Sequence, residues 1–442
     1  MVSIENEPAL ASTRGRETAL ACVRAGIDAA RPGRVVDESI RLDGDRLHVA
    51  DATYDLSDVD RIVVVGGGKA ADGVATALES VLDDRIDAGA VVTPDPAAGD
   101  RIERRHGDHP VPSQDGVDGT DRIRDLVADA DERTLVLAVI TGGGSALLPA
   151  PAEGITLDDL QRTTDALLDA GAEIGDLNAV RKHLSTLKGG GLAELAAPAT
   201  VVSLVFSDVV GNDLSVIASG PTAPDQSTYG DALDALERYG VDPPAAVRER
   251  LAAGAAGDLP ETPRPGDELF DRVTNHVLAD GFTALDAARE VAADRGYDTC
   301  LLSSSVRGEA REAALTHVAV AEEIAATGNP LSAPAVVLSG GEATATVRGD
   351  GVGGPNAEFA LAAAVELPAS STLACIDTDG RDGSSEFAGA VVDGDTVDDV
   401  RAARVALANS DAYGYLGDRD TVVSTGATGT NVNDLRVLVV EK

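Results

Sequence analysis

The stretch Arg61-Ile-Val-Val-Val-Gly-Gly-Gly-Lys-Ala-Ala-Asp72 contains the pattern around which the chain is organised. Four β-branched residues, three glycines and a helix-compatible run predict a strand, a tight turn and a helix. Such a turn directs backbone N–H groups and the positive end of a helix towards one point, which suits a phosphate or a carboxylate. Lys69 adds a full positive charge there, in a chain whose only other lysines are Lys182, Lys188 and Lys442.

Strand-like and helix-like segments alternate on both sides of this stretch. After a first helix predicted over 9–31 and a hairpin over 41–54, the strand-like runs that alternate with helices are 88–93, 135–140 and 201–206. This alternation indicates a parallel sheet covered by helices on both faces.

A chain of 442 residues is long enough for two hydrophobic cores. The charged, proline-rich segment 258–267 is the candidate linker, because the alternation of strands and helices restarts after it. We therefore predict two domains, 1–262 and 263–442.

Acidic residues greatly outnumber basic ones. The chain has 75 Asp and Glu against 36 Lys and Arg, a net charge of −39, and the acids are dispersed along its length. With few lysines and 2% aromatic residues, this composition resembles that of proteins from salt-loving archaea, whose concentrated salt screens the self-repulsion. It argues against nucleic acid and membrane surfaces as partners, because phosphates and anionic headgroups would be repelled.

Other features of the composition indicate a cytoplasmic protein. No apolar run has the length of a membrane span, and the N-terminus lacks the basic and apolar regions of a signal peptide. The three cysteines form no CxxC pair, which indicates neither a disulfide framework nor a zinc site.

Two further glycine turns follow β-branched runs, at Ile140-Thr-Gly-Gly-Gly-Ser145 and Leu338-Ser-Gly-Gly-Glu342. At the strand ends of an open α/β sheet, glycine lets a phosphate approach the backbone. The first turn is not a Walker A loop, because Val63 and Ala70 occupy positions that need Gly and Ser or Thr. Gly66-x-Gly68-x-x-Ala71 does satisfy a loose dinucleotide pattern, with Asp95 as the ribose ligand, so nicotinamide cofactors remain an alternative to other phosphorylated ligands.

Positive charge is concentrated in the segment 177–192. If this segment is one helix, Arg181, Ser185 and Lys188 share a face. A solvated basic face is the usual interpretation of such a cluster. In a chain so poor in lysine, an anion site is favoured.

Carboxylates follow predicted strands in both halves. Asp208 and Asp213 could each hold Mg²⁺ or accept a hydroxyl proton, and Asp208 is preferred because Asn212-Asp213 resembles a turn. In the second half, Asp377-x-Asp379-Gly-x-Asp382-Gly brings carboxylates close enough to share a cation without the spacing of a calcium loop. Mg²⁺ together with a nucleotide fits this pattern.

Short motifs recur along nearly the whole chain. They are Gly66-Gly-Gly-Lys-Ala70, His109-Pro-Val-Pro112, Thr141-Gly-Gly-Gly-Ser-Ala-Leu-Leu148, Asn178-x-Val-Arg-Lys-x-Leu-Ser185, Lys188-Gly-Gly190, Ser207-Asp-Val-x-Gly-Asn-Asp213, Ser219-Gly-Pro-Thr222, Ser339-Gly-Gly-Glu342, Asp379-Gly-x-Asp-Gly383 and Asn431-x-Asn-Asp434. In this order they resemble the motifs of the glycerate 2-kinases of the MOFRL type, whose members are often labelled putative hydroxypyruvate reductases.

The resemblance implies two α/β/α domains, an N-terminal Rossmann-like doubly wound sheet and a C-terminal MOFRL domain, with the active site in the cleft between them. It implies Mg²⁺-requiring transfer of phosphate from ATP to the 2-hydroxyl of D-glycerate, giving 2-phosphoglycerate and ADP. By motif, the family's catalytic lysine corresponds to Lys69 and an important aspartate to Asp208. An NAD(P)H-dependent hydroxypyruvate reductase is the alternative, and the oligomeric state stays open, with a homodimer as one arrangement.

Within this framework we expect Lys69 and the N–H groups of 66–68 to stabilise the transferring phosphoryl group. The residues expected to act in catalysis are Lys69, Asp208 and Arg181. The residues expected to bind the substrate are Gly67, Gly68, Lys182, Ser145 and Arg381. The residues expected to bind the nucleotide are Gly142, Gly143, Gly144, Lys188, Gly340, Gly341 and Asn356. The residues expected to bind the metal are Asp208, Asp213, Glu342 and Asp379.

One position departs from the family pattern. The family commonly has Gly-Gly-Arg-Asn-x-Glu where this chain has Gly353-Gly-Pro-Asn-Ala-Glu358, so an arginine associated with catalysis is replaced by Pro355. Our hypothesis is that Arg381 or Arg348 supplies the missing charge.

Overall fold

The structure, a computed structural model, describes all 442 residues, and helices alternate with strands along most of the chain. The helices are α1 (Glu7–Leu10), α2 (Arg14–Ala29), α3 (Pro32–Ser39), α4 (Ala71–Leu82), α5 (Gln114–Ala128), α6 (Gly144–Leu147), α7 (Leu157–Asp169), α8 (Ile174–His183), α9 (Gly191–Ala196), α10 (Tyr229–Arg238), α11 (Ala245–Ala255), α12 (Gly281–Asp294), α13 (Ala310–Thr327), α14 (Pro355–Ala364), α15 (Val400–Ala408) and α16 (Ala412–Leu416). The strands are β1 (Ile40–Asp43), β2 (Arg46–Val49), β3 (Ala52–Asp55), β4 (Arg61–Gly67), β5 (Ala88–Thr93), β6 (Ile102–His106), β7 (Thr134–Thr141), β8 (Thr200–Phe206), β9 (Val273–Ala279), β10 (Asp298–Glu309), β11 (Ala335–Thr344), β12 (Ser371–Asp377), β13 (Gly389–Asp393), β14 (Val422–Val423) and β15 (Asp434–Val440).

Residues 35–278 form one unit, built on a six-stranded sheet with the order β6-β5-β4-β7-β8-β9. The pairs that join β6, β5, β4, β7 and β8 are all parallel. Counted from β4, the spatial order is third, second, first, fourth, fifth and sixth, which is the order of the doubly wound dinucleotide-binding fold. The predicted Rossmann-like sheet is confirmed, and its strand order reverses between β4 and β7.

Burial explains why β4 and β7 read as continuous apolar runs. Val63, Val64 and Val65 are fully buried although successive side chains point to opposite faces of the sheet. All eight residues of β7 are buried as well. Helices therefore cover both faces, as parallel sheets require.

The predicted strand, turn and helix are present as β4 and α4. Gly66 and Gly68 have φ of 139° and 134°. A Cβ at Gly66 would lie 1.9 Å from the Val139 carbonyl oxygen, and one at Gly68 would lie 2.1 Å from Thr141 Oγ1. Only glycine fits both the conformation and the close approach of β7.

The second unit contains residues 1–34 and 279–442. Its six-stranded sheet has the order β10-β11-β15-β12-β13-β14 and is mixed, because β10 and β11 are parallel and the remaining pairs are antiparallel. The first predicted helix is largely α2, whose apolar residues Leu20, Val23 and Ile27 join the core that contains Leu285 and Leu435.

This division differs from the predicted boundaries 1–262 and 263–442. The chain begins in the second unit because α2 packs there, which sequence order does not reveal. The segment 258–267 lies inside the first unit rather than between the two, since the Pro263 carbonyl accepts a hydrogen bond from Asp225 N at 2.9 Å. Residues 273–278 then supply the edge strand β9.

Two smaller predictions also have outcomes. The predicted hairpin over 41–54 is part of a three-stranded antiparallel sheet, β1-β2-β3. None of the helices combines the length and the hydropathy that crossing a membrane requires.

Candidate functional site

Three strand ends meet where the sheet order reverses. β4 ends at Gly67 and is followed by Lys69, β7 leads into the turn 142–145, and β8 is followed by Asp208. Parallel strands place their carboxyl ends at one edge, and the crevice beside a reversal of strand order is where open α/β sheets bind ligands. The topology therefore brings the predicted lysine, the second glycine turn and the preferred aspartate to one edge.

The first glycine turn uses its N–H groups within the protein. Gly68 N donates to the Val92 carbonyl at 3.0 Å, and Lys69 N donates to the Gly142 carbonyl at 2.8 Å. Ala70 N donates to Thr141 Oγ1 at 3.2 Å. The expectation that 66–68 present amides to a phosphoryl group is therefore wrong for Gly68, because its amide joins the first turn to a neighbouring strand.

The second glycine turn is the better anion cradle. The N–H groups of Gly143, Gly144 and Ser145 donate to no protein acceptor, and Gly143 has φ of 79°. Unpaired N–H groups at a glycine turn suit phosphate oxygens. Of the predicted nucleotide-binding glycines, Gly143 and Gly144 thus have N–H groups that remain available to a ligand, whereas the N–H groups of the first turn are hydrogen-bonded within the protein.

Charged and polar side chains approach this second turn closely. A Cβ at Gly143 would lie 3.2 Å from Lys69 Cγ and 3.0 Å from His109 Cδ2. A Cβ at Gly142 would lie 2.2 Å from Asp208 Oδ2. The two glycines therefore make room for Lys69, His109 and Asp208 on the same short segment.

His109 is a residue that the residue-by-residue reasoning did not place in the site. The available signal was its place in the His109-Pro-Val-Pro112 motif. Its approach to Gly143 depends on the folding of a loop, which the spacing of residues does not predict.

Lys188 holds the second turn from within the protein. Its Nζ donates to the carbonyl oxygens of Ser145 at 2.8 Å and Leu148 at 3.1 Å, and the side chain is buried. Burial, with a further contribution from the charge of Arg181, lowers its pKa to about 7. The expected contact with nucleotide is therefore replaced in this structure by two backbone contacts that fix the turn.

Lys188 should make stability depend on pH. Its pKa falls from a normal value of 10.5 in the unfolded chain to about 7 in the folded one, so the unfolded chain binds more protons between these values. The free energy of unfolding should therefore rise with pH across this window, by up to about 1.4 kcal/mol per pH unit from this group. Chemical denaturation of wild type and Lys188→Met between pH 7 and 10 should show a shallower rise in the variant. Equal slopes would contradict the assignment.

Arg181 is a cation without a counter-ion. It makes no hydrogen bond or ion pair with another residue, and burial lowers its pKa. In a chain with 75 acidic residues, this is unusual. The helix that was predicted to extend through Lys188 ends at His183. Arg181 nevertheless lies close enough for its charge to lower the pKa of Lys188, whose Nζ contacts the second turn.

Lys182 differs from Arg181, because it forms a buried ion pair. Its Nζ lies 2.9 Å from Asp225 Oδ1, and both side chains are at most 7% exposed. Burial opposes the ionised form of Asp225, but the Lys182 charge and the hydrogen bonds from Ser227 outweigh it and lower the Asp225 pKa. The charge of Lys182 is therefore compensated by Asp225, and what Lys182 can offer to a substrate is the remaining N–H donors of its Nζ.

A short chain of hydrogen bonds extends from Ser145. Its Oγ lies 2.8 Å from Ser219 Oγ, which donates to Asn178 Oδ1 at 3.0 Å. Ala218 and Ser219 have φ of 51° and 61°, a backbone conformation that is costly for residues other than glycine and is concentrated at functional sites. Sequence reasoning assigned no role to Ser219 or Asn178, because their contacts are far apart in sequence.

The expected metal ligands have different surroundings. Asp213 is exposed, and its Oδ1 accepts hydrogen bonds from Ser215 N at 2.9 Å and Ser215 Oγ at 2.7 Å, as in a turn. No group of three or more His, Cys, Asp or Glu side chains is arranged to hold a metal ion. Asp208 is the carboxylate that lies at the reversal of strand order.

The third glycine turn is not a turn. β11 continues through Gly340 and Gly341 to Thr344, with Gly340 opposite Leu435 of β15. A Cβ at Gly341 would lie 2.2 Å from the Val306 carbonyl oxygen. Pairing on both sides carries the strand through the glycines, so these residues serve close backbone packing, and Glu342 lies within the strand.

Asp382 and Asn356 form a buried network in the second unit. Asp382 accepts hydrogen bonds from the N–H groups of Asn356 and Ala357, both at 2.8 Å, at the start of α14, and burial raises its pKa to about 6. Asn356 Nδ2 donates to Asp434 at 2.7 Å. Asn356 is only 1% exposed, so its amide serves this network rather than a nucleotide at the surface.

The carboxylates of the 377–382 segment repel one another. Burial and the charges of Asp379 and Asp434 raise the pKa of Asp377 well above its normal value. Arg381 is exposed and its N–H donates to Asp379 Oδ1 at 2.8 Å. A Cβ at Gly383 would lie 3.6 Å from Pro355 Cδ, so the loop that carries Arg381 contacts the position where the family arginine is missing.

The chain is similar to known proteins over most of its length. A family model described as a domain of unknown function, DUF4147, matches residues 18–252, and the MOFRL family model matches residues 335–434. The chain is 37% identical to the D-glycerate 2-kinase of Thermotoga maritima over 95% of this chain and 97% of that protein. It is 40% identical to a protein of Agrobacterium vitis named "Putative hydroxypyruvate reductase", over 86% of this chain and 99% of that one. The crystal structure of a glycerate kinase from Thermotoga maritima superposes with a TM-score of 0.84 at 36% identity, covering 96% of this chain and 99% of that chain.

Proposed function

Because the chain belongs to the family of glycerate 2-kinases with a MOFRL domain, we propose that it transfers the γ-phosphoryl group of ATP to the 2-hydroxyl of D-glycerate, giving 2-phosphoglycerate and ADP. The observation that carries this proposal is the reversal point of the parallel sheet. Lys69, the unpaired amides of Gly143 and Gly144, and Asp208 lie together there. Phosphoryl transfer requires such positioning and neutralisation of charge more than covalent chemistry.

Each residue has a distinct part in the proposed reaction. The amides of the second turn bind phosphate oxygens, and Lys69 neutralises the charge of the phosphoryl group as it moves to the acceptor. Asp208 orients the 2-hydroxyl and accepts its proton as the new O–P bond forms. Lys188 keeps the turn rigid through the Ser145 and Leu148 carbonyls, so the amides need not reorganise.

Arg181 supplies a further positive charge for the ligands. A half-buried guanidinium without a partner retains its donors, and its planar fork matches carboxylate and phosphate oxygens. It is thus the cation of α8 whose charge is uncompensated, whereas the charge of Lys182 is paired with that of Asp225.

Magnesium fits the residues present. Mg²⁺ is usually held by one or two carboxylates together with substrate phosphates and water, and Asp208 is the carboxylate beside the second turn. When bound, the ion would neutralise phosphate charge. The expected ligands Glu342 and Asp379 belong to the other unit, and Asp213 is held in its turn by Ser215.

We further propose that Arg381 supplies the charge missing at Pro355. The loop that carries Arg381 contacts Pro355 through Gly383. Arg348, in contrast, lies near Glu309; hydrogen bonds from Thr346 are the main cause of the lowered pKa of Glu309, and the charge of Arg348 contributes to it.

Arg381→Ala should therefore lower kcat by about 10-fold to 100-fold, because it removes one charge that stabilises the transition state. Arg348→Ala should change kcat by less than about threefold. Steady-state kinetics of both variants and the double variant test this. Unchanged turnover in the double variant would remove both arginines from the reaction.

The net charge of −39 is proposed to reflect adaptation to concentrated salt in the cytoplasm. Activity assays should therefore be run in molar potassium chloride as well as in dilute buffer.

A nicotinamide-dependent reductase remains the second candidate. Gly66-x-Gly68-x-x-Ala71 follows the first strand of a sheet with dinucleotide-binding order, which is the place of the dinucleotide fingerprint. One experiment separates the two: ATP with D-glycerate, and NADH with hydroxypyruvate, in parallel, with the products identified by NMR. Formation of 2-phosphoglycerate supports the kinase, whereas NADH oxidation without phosphoryl transfer would overturn it.

A further inference from the structure

A cavity of about 620 Å³ lies along α8 in the 35–278 unit. Its size is that of a small-molecule site, roughly 300–1,000 Å³. The lining residues used below are Asn178, Lys182, Asp213, Asp225 and Asn275. Arg181 is not among them, because its side chain leaves the helix about 100° from that of Lys182. The cavity therefore belongs to a different face of α8 from the unpaired guanidinium.

Asn178 is the feature that indicates a ligand. The residue is 3% exposed, its Oδ1 accepts a hydrogen bond from Ser219 Oγ, and its Nδ2 has no partner. Exchanging the two amide atoms would leave the oxygen without a partner instead, so a flip does not remove the defect. A buried amide that lines a cavity and retains both donors fits a ligand with acceptor oxygens.

Lys182 adds donors without adding net charge. Its Nζ has three N–H groups and makes one hydrogen bond, to Asp225. The Asp225 carboxylate also accepts hydrogen bonds from Ser227 and Thr262. Residues four apart on a helix share a face, so Asn178 and Lys182 present their remaining donors side by side.

Asp213 gives the cavity an acceptor. Its Oδ1 is used by Ser215, and its Oδ2 accepts no hydrogen bond. The lining thus carries two carboxylates against one ammonium, so its excess negative charge disfavours a phosphate dianion more strongly than a monoanion. A monoanionic acid with hydroxyl groups matches both the donors of α8 and the acceptor of Asp213.

We propose that this cavity is the binding site for the hydroxy acid that accepts the phosphoryl group, with its carboxylate on Asn178 Nδ2 and Lys182 Nζ and a hydroxyl on Asp213. The proposal rests on the kinase function proposed above. It assigns Arg181 to phosphate rather than to the acid. The Ser219 hydroxyl is hydrogen-bonded to both Asn178 and Ser145. A single side chain thus links the proposed acid site at Asn178 to the second turn, where phosphate is proposed to bind.

The test is a comparison of ligands and variants by isothermal titration. Asn178→Asp keeps the oxygen that accepts from Ser219 and replaces the donor with a second acceptor. We expect the Kd of D-glycerate to rise roughly tenfold or more, as for loss of a hydrogen bond to a charged group, while the Kd values of glyceramide and ADP change less than about twofold. Asn329→Asp, an exposed isosteric change in the other unit, is the matched control and should leave all three unchanged.

A second variant guards against misfolding of the first. Lys182→Met combined with Asp225→Asn removes the ammonium together with its counter-charge, and it should also weaken D-glycerate binding without affecting ADP. Thermal melts identify the variants that fold as wild type does. D-Glycerate binding that is unchanged in a folded Asn178→Asp, absent in wild type, or weakened only by Arg181→Gln would overturn the site.

The titrations also separate this proposal from the function on which it rests. If wild type binds D-glycerate through Asn178 but forms no 2-phosphoglycerate from ATP, the site stands and the kinase function fails. If 2-phosphoglycerate forms and Asn178→Asp binds D-glycerate normally, the function stands and the site fails.

Discussion

Lys69→Met should lower kcat on the order of 10³-fold and change the KM for D-glycerate by less than about threefold. The lysine lies beside Gly143, at the turn whose amides are proposed to bind phosphate. Its charge is most valuable when negative charge spreads over the transferring group, so the loss should fall on kcat rather than on substrate binding. The measurement is a coupled assay of ADP formation over a range of D-glycerate concentrations.

The control for this variant is Lys442→Met, which removes a lysine at the C-terminus, outside the site. Titration with ADP should show binding by Lys69→Met, and its melting temperature should stay near that of wild type, because the variant keeps the backbone N–H of residue 69 that donates to the Gly142 carbonyl. A variant that keeps a tenth or more of wild-type kcat would remove Lys69 from the chemistry.

The fold could be predicted where a single segment determines its structure. The run from Arg61 to Asp72 predicts β4, its turn and α4, because β-branched residues, glycine and helix formers act locally. The same reasoning predicts a turn at Gly340 and Gly341, where the structure has a strand. There the neighbouring strands β10 and β15 decide the backbone conformation, and sequence around the glycines does not contain that information.

The candidate site shows the same limit for side chains. Lys182 and Arg181 are adjacent and both basic, so their pattern predicts one role for both, yet Lys182 is neutralised by Asp225, 43 residues later. Arg181 has no such partner. Which of two cations keeps an uncompensated charge depends on tertiary contacts, and a chain with 75 carboxylates offers many candidate partners.

Gly142 in the second turn leaves space for the Asp208 carboxylate, which lies where a side chain at position 142 would be. A Cβ there would lie 2.2 Å from Asp208 Oδ2 and 2.6 Å from its Cγ. Gly142→Ala should therefore displace the carboxylate and lower kcat by about 10²-fold or more, close to the effect of Asp208→Ala, because a proton acceptor typically contributes about 10²–10⁴-fold. Steady-state kinetics of both single variants and the double variant measure this.

The double variant decides between displacement and general disruption of the turn. In Asp208→Ala, the oxygen and the Cγ that would clash with a methyl group on the Gly142 Cα are gone, so adding Gly142→Ala should cost less than about threefold in kcat. Denaturation should show the same coupling: Gly142→Ala destabilises wild type but has little effect on Asp208→Ala, an interaction of at least about 1 kcal/mol. Additive losses in both measurements would mean that Gly142 supports the turn independently of Asp208, and that the close approach of the carboxylate has no part in positioning the acceptor hydroxyl.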